Sequence, residues 1–290
     1  MNALKNQIGI ATVLVFGMLV SGIASAGAAT TVWGNTAGNG VYEYDLTTGN
    51  LLLSFDPGST FSQYGGWNGR GIVQVGNTLY LTNASSNNVY KMDATTGASQ
   101  GIAFSITGAA GLSAIAYDGS NFWVADYSGS NKAYLYSPTG TLLKTISLTN
   151  CGGYCDGFEF FKGKLIMNRF DGAYGGPNQY DIYDTNGNLL TADLFTTTSS
   201  GSTGIGYDGK DFWTSNLFSG SLSQWNGITG AFIGTLTLQP PAGNFEIEDL
   251  SFNYSIVIPP TGVPEPAVLG VFGLGALLIG LFAGLRRRFA

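Results

Sequence analysis

Two markers that recur with one period, and a strand count that falls one short at the amino-terminal end, predict an all-β fold. The expected architecture is a five-bladed β-propeller closed by pairing of a C-terminal strand with the N-terminal blade. The first marker is a turn. It appears as Asp45-Leu46-Thr47-Thr48-Gly49, Asp93-Ala94-Thr95-Thr96-Gly97, Ser137-Pro138-Thr139-Gly140, Asp184-Thr185-Asn186-Gly187 and Ile228-Thr229-Gly230, with closing glycines 48, 43, 47 and 43 residues apart. Asp or Ser bonds its own turn backbone, and the last glycine takes positive φ without a Cβ penalty. The second marker is an aromatic or large apolar residue midway along the second strand of each unit: Trp33, Tyr80, Trp123, Ile166 and Trp213, spaced 47, 43, 43 and 47. Blades of about 40–50 residues have this period. An open sandwich of comparable strand count is the structural alternative.

Composition agrees. Glycine contributes 44 of 290 residues and charged residues only 10%. Glycine without a three-residue period, mixed with Tyr, Phe, Thr and Val, indicates many strands and turns rather than collagen or disorder. The formal charge is −6, and setting aside Lys5 and Arg286, Arg287 and Arg288 leaves the body more acidic still. Such a body has no electrostatic footprint for nucleic acid. The chain contains no histidine, which removes His-based acid–base chemistry, Ser-His-Asp and Cys-His nucleophiles, and His-ligated metals.

Taken in order, residues 1–26 read as a secretory signal: Lys5 near the start, an apolar run from Ile8 to Ile23, and Ala24-Ser25-Ala26 as a small-x-small cleavage site. The propeller is expected over 30–258. Its first unit has three strand-like runs, Thr31–Gly34, Gly40–Tyr44 and Leu51–Phe55. Units starting near Gly71, Leu112, Gly157 and Thr203 each have room for four. The clearest runs Leu112–Tyr117, Phe122–Tyr127, Ala133–Ser137 and Thr141–Leu148. Phe245–Tyr254 is left without partners of its own, so it supplies the missing innermost strand of the first unit and removes the exposed edge. Residues 259–266 form a turn-rich linker ending in Val263-Pro264-Glu265-Pro266. Ala267–Leu285 is apolar and long enough for a transmembrane helix, and 286–290 form a basic tail that places the C-terminus in the cytoplasm.

Two resemblances follow from these residues. Thr78-Leu79-Tyr80-Leu81-Thr82-Asn83 with Asn88-Val89-Tyr90-Lys91-Met92-Asp93, and more loosely Phe122-Trp123-Val124-Ala125-Asp126, resemble the propeller repeats named for a Tyr-Val-Thr-Asn motif. The tail resembles the PEP-CTERM sorting signal: Val263, Pro264, Glu265 and Pro266, then the helix, then Arg286, Arg287 and Arg288. That resemblance implies a Gram-negative-type bacterium. There an exosortase-type enzyme recognises the box and removes the helix, and the protein passes from the inner membrane to the cell surface or the exopolysaccharide matrix. An ordinary single-span anchor is the plainer reading of the same tail.

Propeller geometry puts first-to-second and third-to-fourth strand connections on one face, where they are short and repetitive. The other face carries the long, individual connections Asp56–Gly69, Thr149–Asp156 and Arg169–Gln179, and any site is expected there. Phe61, Tyr64 and Trp67 lie among glycines, as do Tyr154 and Tyr174, and such rings either stack on sugars or cap the blade cores. The ligand-binding candidates are Tyr64, Trp67, Arg70, Tyr154 and Tyr174. The innermost strands carry Arg70, Asp156, Glu159, Glu246, Glu248 and Asp249. The plain reading of these is solvated edge charge. Calcium held by Glu246, Glu248 and Asp249 and the acid–base pair of a glycosidase are the alternatives. Cys151 and Cys155, the only cysteines, read as a disulfide in an exported chain or as free thiols. No catalytic residue is assigned and no cofactor is expected, calcium excepted. The functional expectation is a non-enzymatic surface propeller that binds polysaccharide or a matrix partner. A glycan hydrolase and a purely structural matrix component are the alternatives.

Overall fold

A computed structural model describes residues 28–38, 40–127, 129–149, 155–169, 179–197, 201–239 and 247–256. The expected signal segment, linker, sorting box, apolar stretch and basic tail lie outside these. Among the described residues no helix is long and apolar enough to cross a membrane.

The strands form five four-stranded antiparallel sheets. The first blade contains β1 (Thr31–Thr36), β2 (Val41–Asp45) and β3 (Leu51–Phe55). The second contains β4 (Gly69–Val75), β5 (Thr78–Asn83), β6 (Asn88–Asp93) and β7 (Ser99–Ser105). The third contains β8 (Leu112–Tyr117), β9 (Phe122–Asp126), β10 (Lys132–Tyr136) and β11 (Leu142–Ser147). The fourth contains β12 (Cys155–Phe161), β13 (Lys164–Arg169), β14 (Gln179–Tyr183) and β15 (Leu189–Thr196). The fifth contains β16 (Ile205–Tyr207), β17 (Phe212–Thr214), β18 (Ser221–Trp225) and β19 (Phe232–Thr237). The last strand, β20 (Ile247–Ser251), returns to the first blade and pairs antiparallel with β1, with Trp33 opposite Ser251 and Asn35 opposite Asp249. The order β20-β1-β2-β3 closes a five-bladed ring and excludes an open sandwich.

The core lies between blades. Trp33 packs with Ile72, Leu79 and Leu81 of the second blade, Tyr80 against the cluster of Ile115, Phe122 and Val124 in the third, and Trp123 with Phe158, Leu165 and Met167 in the fourth. Ile166 meets Ile205 and Phe212 of the fifth, and Trp213 shares that cluster with Val32 and Tyr44 of the first. The periodic large residue is therefore the side chain each blade inserts toward the next. A strand so enclosed is apolar on both faces, which is why Phe122–Asp126 is buried throughout.

The turn marker closes the ring a second way. Asp45, Asp93 and Asp184 each accept two backbone N–H groups of their own turns through Oδ1, and Asn226 does the same at the fifth. Gly49, Gly97, Gly140, Gly187 and Gly230 all have φ between +68° and +88°. Each also touches the outer strand of the preceding blade. A Cβ on Gly187 would lie 2.2 Å from the Ser147 carbonyl, and one on Gly49 2.1 Å from the Thr237 carbonyl. At that last seam Gln239 N–H donates to Gly49 O at 2.8 Å, joining fifth blade to first. Glycine is needed twice at these positions, for the left-handed backbone and for the contact between blades.

Candidate binding face

The longest described connection on the loop-rich face links β3 to β4. Asp56 starts a single helical turn, α1 (Pro57–Thr60), by accepting Ser59 N–H at 3.0 Å, with Pro57 suited to the first turn. A 3₁₀ turn, Ser62–Tyr64, follows. Phe61 is buried beneath it, with Tyr90 at 4.9 Å between ring centroids, Trp67 at 5.7 Å and Tyr64 at 6.4 Å. The rings thus cap the second blade. Two of them also stay in reach of solvent: Tyr64 is 40% exposed, and Trp67 lines an open cleft of about 490 Å³ with Gly58, Ser59, Ser62, Gly65 and Gly66.

Beside this cleft the innermost strands begin with one repeated irregularity. Between Gly69 and Ile72, Leu112 and Ile115, and Cys155 and Phe158, the inner strand carries one residue more than its partner, and β20 does so at Glu248. Such bulges re-aim side chains at the rim of a sheet. They place Arg70, Ser113, Asp156 and Glu248 at the mouth of the central channel. Second-strand ends hold them there. Thr82 Oγ1 accepts Gly71 N–H at 2.6 Å and donates to Ser113 O, and Asn35 Nδ2 donates to Gly71 O at 3.0 Å. Ser113 Oγ donates to Cys155 O at 2.6 Å, carrying the chain of contacts to the fourth blade.

Arg70 forms an ion pair with Glu248, donates from Nη2 to Tyr127 Oη at 2.9 Å, and lies 4.6 Å above the Tyr127 ring. Burial opposes its charge, and Glu248, Asp156 and Tyr127 outweigh burial to hold its pKa up. Burial pushes the Asp156 carboxyl up, and Arg70 works against that.

Deeper in the channel the carboxylates join blades. Asp249 accepts Ile205 N–H through Oδ1 at 3.3 Å and Ile72 N–H through Oδ2 at 3.4 Å, so it ties the closing strand to both neighbours. Glu159 accepts Phe160 N–H at 2.8 Å and Tyr207 N–H at 2.9 Å, together with the Tyr254 hydroxyl. Its carboxyl is raised to about 8 by burial, against the lowering effect of those three donors. Glu159, Glu248 and Asp249 are at most 4% exposed. For these three the expectation of solvated edge charge is corrected: backbone amides, the Tyr254 hydroxyl or Arg70 stand where water would otherwise bond them.

Tyr64, Trp67 and Arg70 fall on one face, with the aromatic pair over the cleft and Arg70 at the channel mouth. Tyr154, Tyr174, Glu246 and Cys151 lie outside the described residues, as do Val263, Pro264, Glu265, Pro266, Arg286, Arg287 and Arg288. Cys155 is buried and disulfide-bonded. Among the described residues no three Cys, Asp or Glu side chains form a group that could hold a metal ion. Glu248 instead faces Arg70, and Asp249 faces backbone donors. Sequence reasoning missed Tyr127, whose position one residue beyond the Phe122–Asp126 motif was the available signal. It also missed Phe218, 61% exposed on the β17–β18 connection.

No family model matches the chain, and no curated protein matches it. Among solved structures it is similar to a chain in the crystal structure of a nidogen/laminin complex, at 12% identity, over 76% of this chain and 97% of that one, with a TM-score of 0.51. It is also similar to Myxococcus xanthus glutaminyl cyclase (11% identity, 59% of this chain and 71% of that one, TM-score 0.49) and to the computationally designed Ika8 protein (16%, 79% and 64%, TM-score 0.40). At these identities a likeness concerns fold alone, and the one to the nidogen/laminin chain agrees with the closed order of sheets, which shows an all-β, five-bladed propeller.

Proposed function

We propose that this propeller is exported to the cell surface or exopolysaccharide matrix of a bacterium and binds polysaccharide there without hydrolysing it. The observation that carries the reading is the cleft at residues 58–67. Among the described residues an indole, two serine hydroxyls and glycine backbone line it, and no charged side chain does. A flat ring beside neutral hydrogen-bonding groups suits a sugar better than an ion or a purely apolar ligand. Tyr64 extends the aromatic surface with a hydroxyl. Export rests on residues 1–26 and on the tail from Val263 to Arg288, whose processing would need an exosortase-type partner. The non-enzymatic reading is supported by the carboxylates: Glu159, Glu248 and Asp249 are engaged with donors inside the protein rather than facing the cleft.

The test uses the full chain in detergent, incubated with cellulose, galactomannan, α-glucan and polymeric N-acetylglucosamine. Retention on at least one polymer without new reducing ends is expected. Tyr64→Ala and Trp67→Ala should each weaken it about tenfold, the equivalent of roughly 1.4 kcal/mol for one stacked ring. Retention unchanged in both variants refutes the stacking site, and reducing ends released in proportion to protein refute the non-enzyme reading.

A further inference from the structure

Three glycines flank Trp67 at the cleft, and the fold accounts for two of them. Gly65 has φ +106°, a backbone that glycine adopts freely. A Cβ on Gly69 would lie 2.4 Å from Asn35 Oδ1 and 2.5 Å from the Thr36 carbonyl oxygen of the first blade. Gly66 meets neither condition. Its φ lies outside the left-handed region, and a Cβ there would meet nothing within 4 Å among the described residues. Glycine at such a position costs chain entropy and returns the fold neither a contact nor a conformation. The segment is nonetheless held firmly. Asn83, buried at the end of β5, donates from Nδ2 to Gly66 O at 2.9 Å and accepts Asn68 N–H at 3.0 Å, and Ala84 N–H donates to Asn68 O at 2.9 Å. A bare and fixed backbone strip in the wall of a cleft lets a ligand approach the main chain closely.

The neighbouring groups restrict what that ligand is. Phe61 stacks on the Trp67 indole at 5.7 Å and 23°, and Tyr90 meets it edge-on at 5.5 Å. Trp67 Nε1–H is sealed from solvent beside Gly69, so the indole offers the cleft ring surface and no donor. Ser59 Oγ donates to Asp56 Oδ2 at 2.7 Å, which leaves it lone pairs to offer. Ring surface takes the C–H face of a pyranose, and a lone pair takes a sugar hydroxyl. A carboxylate would meet those lone pairs and the charge of Asp56 bonded to them. We propose that the cleft takes an uncharged sugar ring, laid against the bare backbone of Gly66 with one face on Trp67 and one hydroxyl donating to Ser59 Oγ. Gly66 is the specificity-determining residue, because a side chain there would occupy the space the ring needs. The inference rests on the polysaccharide reading above and adds to it the charge class of the sugar and the residue that admits it.

Three variants of the full chain in detergent test it: Gly66→Ala, Gly66→Leu and, as a control, Gly234→Leu. Gly234 on β19 also has φ outside the left-handed region and open space at its Cβ position, and it is not among the residues lining the cleft. The probes are tetrasaccharides of cellulose, mannan, α-glucan and N-acetylglucosamine, with tetragalacturonate as the charged counterpart. They are titrated calorimetrically, and the melting temperature of each variant without sugar is measured alongside. We expect at least one neutral probe to bind, and tetragalacturonate to bind at least about tenfold more weakly than it. We expect Gly66→Ala to melt at or above the wild-type temperature, because its backbone accepts a side chain. Gly66→Leu raises the Kd at least about tenfold, as losing one stacked ring does, while Gly234→Leu binds as wild type does. A lower melting temperature for Gly66→Ala assigns the glycine to the fold and overturns the proposal. An unchanged Kd for Gly66→Leu, or an equal rise for Gly234→Leu, overturns it too, and equal affinity for tetragalacturonate overturns the charge class. If Trp67→Ala abolishes binding while Gly66→Leu matches wild type, the cleft stands and the role of Gly66 falls. If the wild-type chain binds none of the probes, both fall.

Discussion

The inter-blade role of the turn glycines can be measured by comparing two substitutions that share a backbone penalty and differ in surroundings. Gly187 has φ +88°, and a Cβ there would lie 2.2 Å from the Ser147 carbonyl oxygen of the preceding blade. Gly76 has φ +60°, and a Cβ there meets nothing within 4 Å. Alanine in left-handed backbone costs about 1–2 kcal/mol at either site. At Gly187 the carbonyl must also retreat by roughly 1 Å to reach an ordinary carbon–oxygen contact of about 3.3 Å. Ser147 ends β11 and is held in its ladder by Lys132, so the third and fourth blades must separate locally. Overpacking of this kind adds about 1–3 kcal/mol. The expected losses are therefore about 1.5 kcal/mol for Gly76→Ala and about 3.5 kcal/mol for Gly187→Ala. At about 3 °C per kcal/mol for a domain of this size, the melting temperature falls by about 4 °C and about 10 °C. Urea titration with both variants on one m-value is the assay. Gly49→Ala, at the seam with Thr237, should match Gly187→Ala because the ring closes there by the same contact. Equal losses for Gly76→Ala and Gly187→Ala would refute the argument that the turn glycines serve as spacers between blades.

Three further outcomes follow from the channel. Between the ordinary carboxyl value of 4.5 and about 8, native Glu159 keeps a proton that the unfolded chain releases, so its contribution is full below 4.5 and is lost as pH rises through 8. Asp249, raised by burial, acts in the same direction. Glu159→Gln should flatten the fall in urea-midpoint stability across that window by about 1.4 kcal/mol per pH unit, and an unchanged slope would assign the titration to another group. Thr82→Val leaves Gly71 N–H and Ser113 O unpaired in the interior, so it should lose about 2–4 kcal/mol by denaturant titration, against less than about 0.5 kcal/mol for Thr78→Val at the half-buried start of the same strand, whose hydroxyl meets only the exposed Gln100 side chain. Calcium at millimolar concentration should leave the melting temperature where EDTA leaves it, because Glu248 faces Arg70 and Asp249 faces amides. A rise with calcium would return Glu248 and Asp249 to the status of metal ligands.

What could be read from the chain was local chemistry repeated at a fixed interval. The Thr-Gly turns are self-contained, since Asp93 caps Thr95 and Thr96 two and three residues on, and four of the five were legible with their head residue. The fifth was read only from Ile228 because its head is Asn226, which does the work of aspartate through an amide oxygen. The closing role of β20 was legible by elimination, as a strand without a neighbour. The bulges were not, because two residues facing one is a property of a pair of strands. Nor was the burial of Glu159, Glu248 and Asp249: a carboxylate reads as exposed until the amides of Tyr207, Ile72 and Ile205, on other blades, are brought to it. At the candidate site the Gly-rich aromatic run signalled Tyr64 and Trp67. Pairing of Arg70 with Glu248, far apart in sequence, depended on closing the ring.

Closure also fixes which way the two faces point. At the amino-terminal end Ala29 N–H donates to Asp208 O, and at the other end Asn253 Oδ1 accepts Gly76 N–H and Tyr254 N–H donates to Gln74 O. Asp208 and Gly76 both belong to connections between a first and a second strand, so the described chain enters and leaves on the short-turn face. The cleft at Trp67 and the mouth at Arg70 lie on the opposite face. Under the export reading proposed above, a tail beginning at residue 257 would hold the short-turn face toward its tether and leave the long-loop face free to meet a polymer. A propeller needs no hinge to achieve this, because an even number of strands per blade brings each inner strand back to start on the same face, and a last strand borrowed by the first blade sends the chain out where it came in.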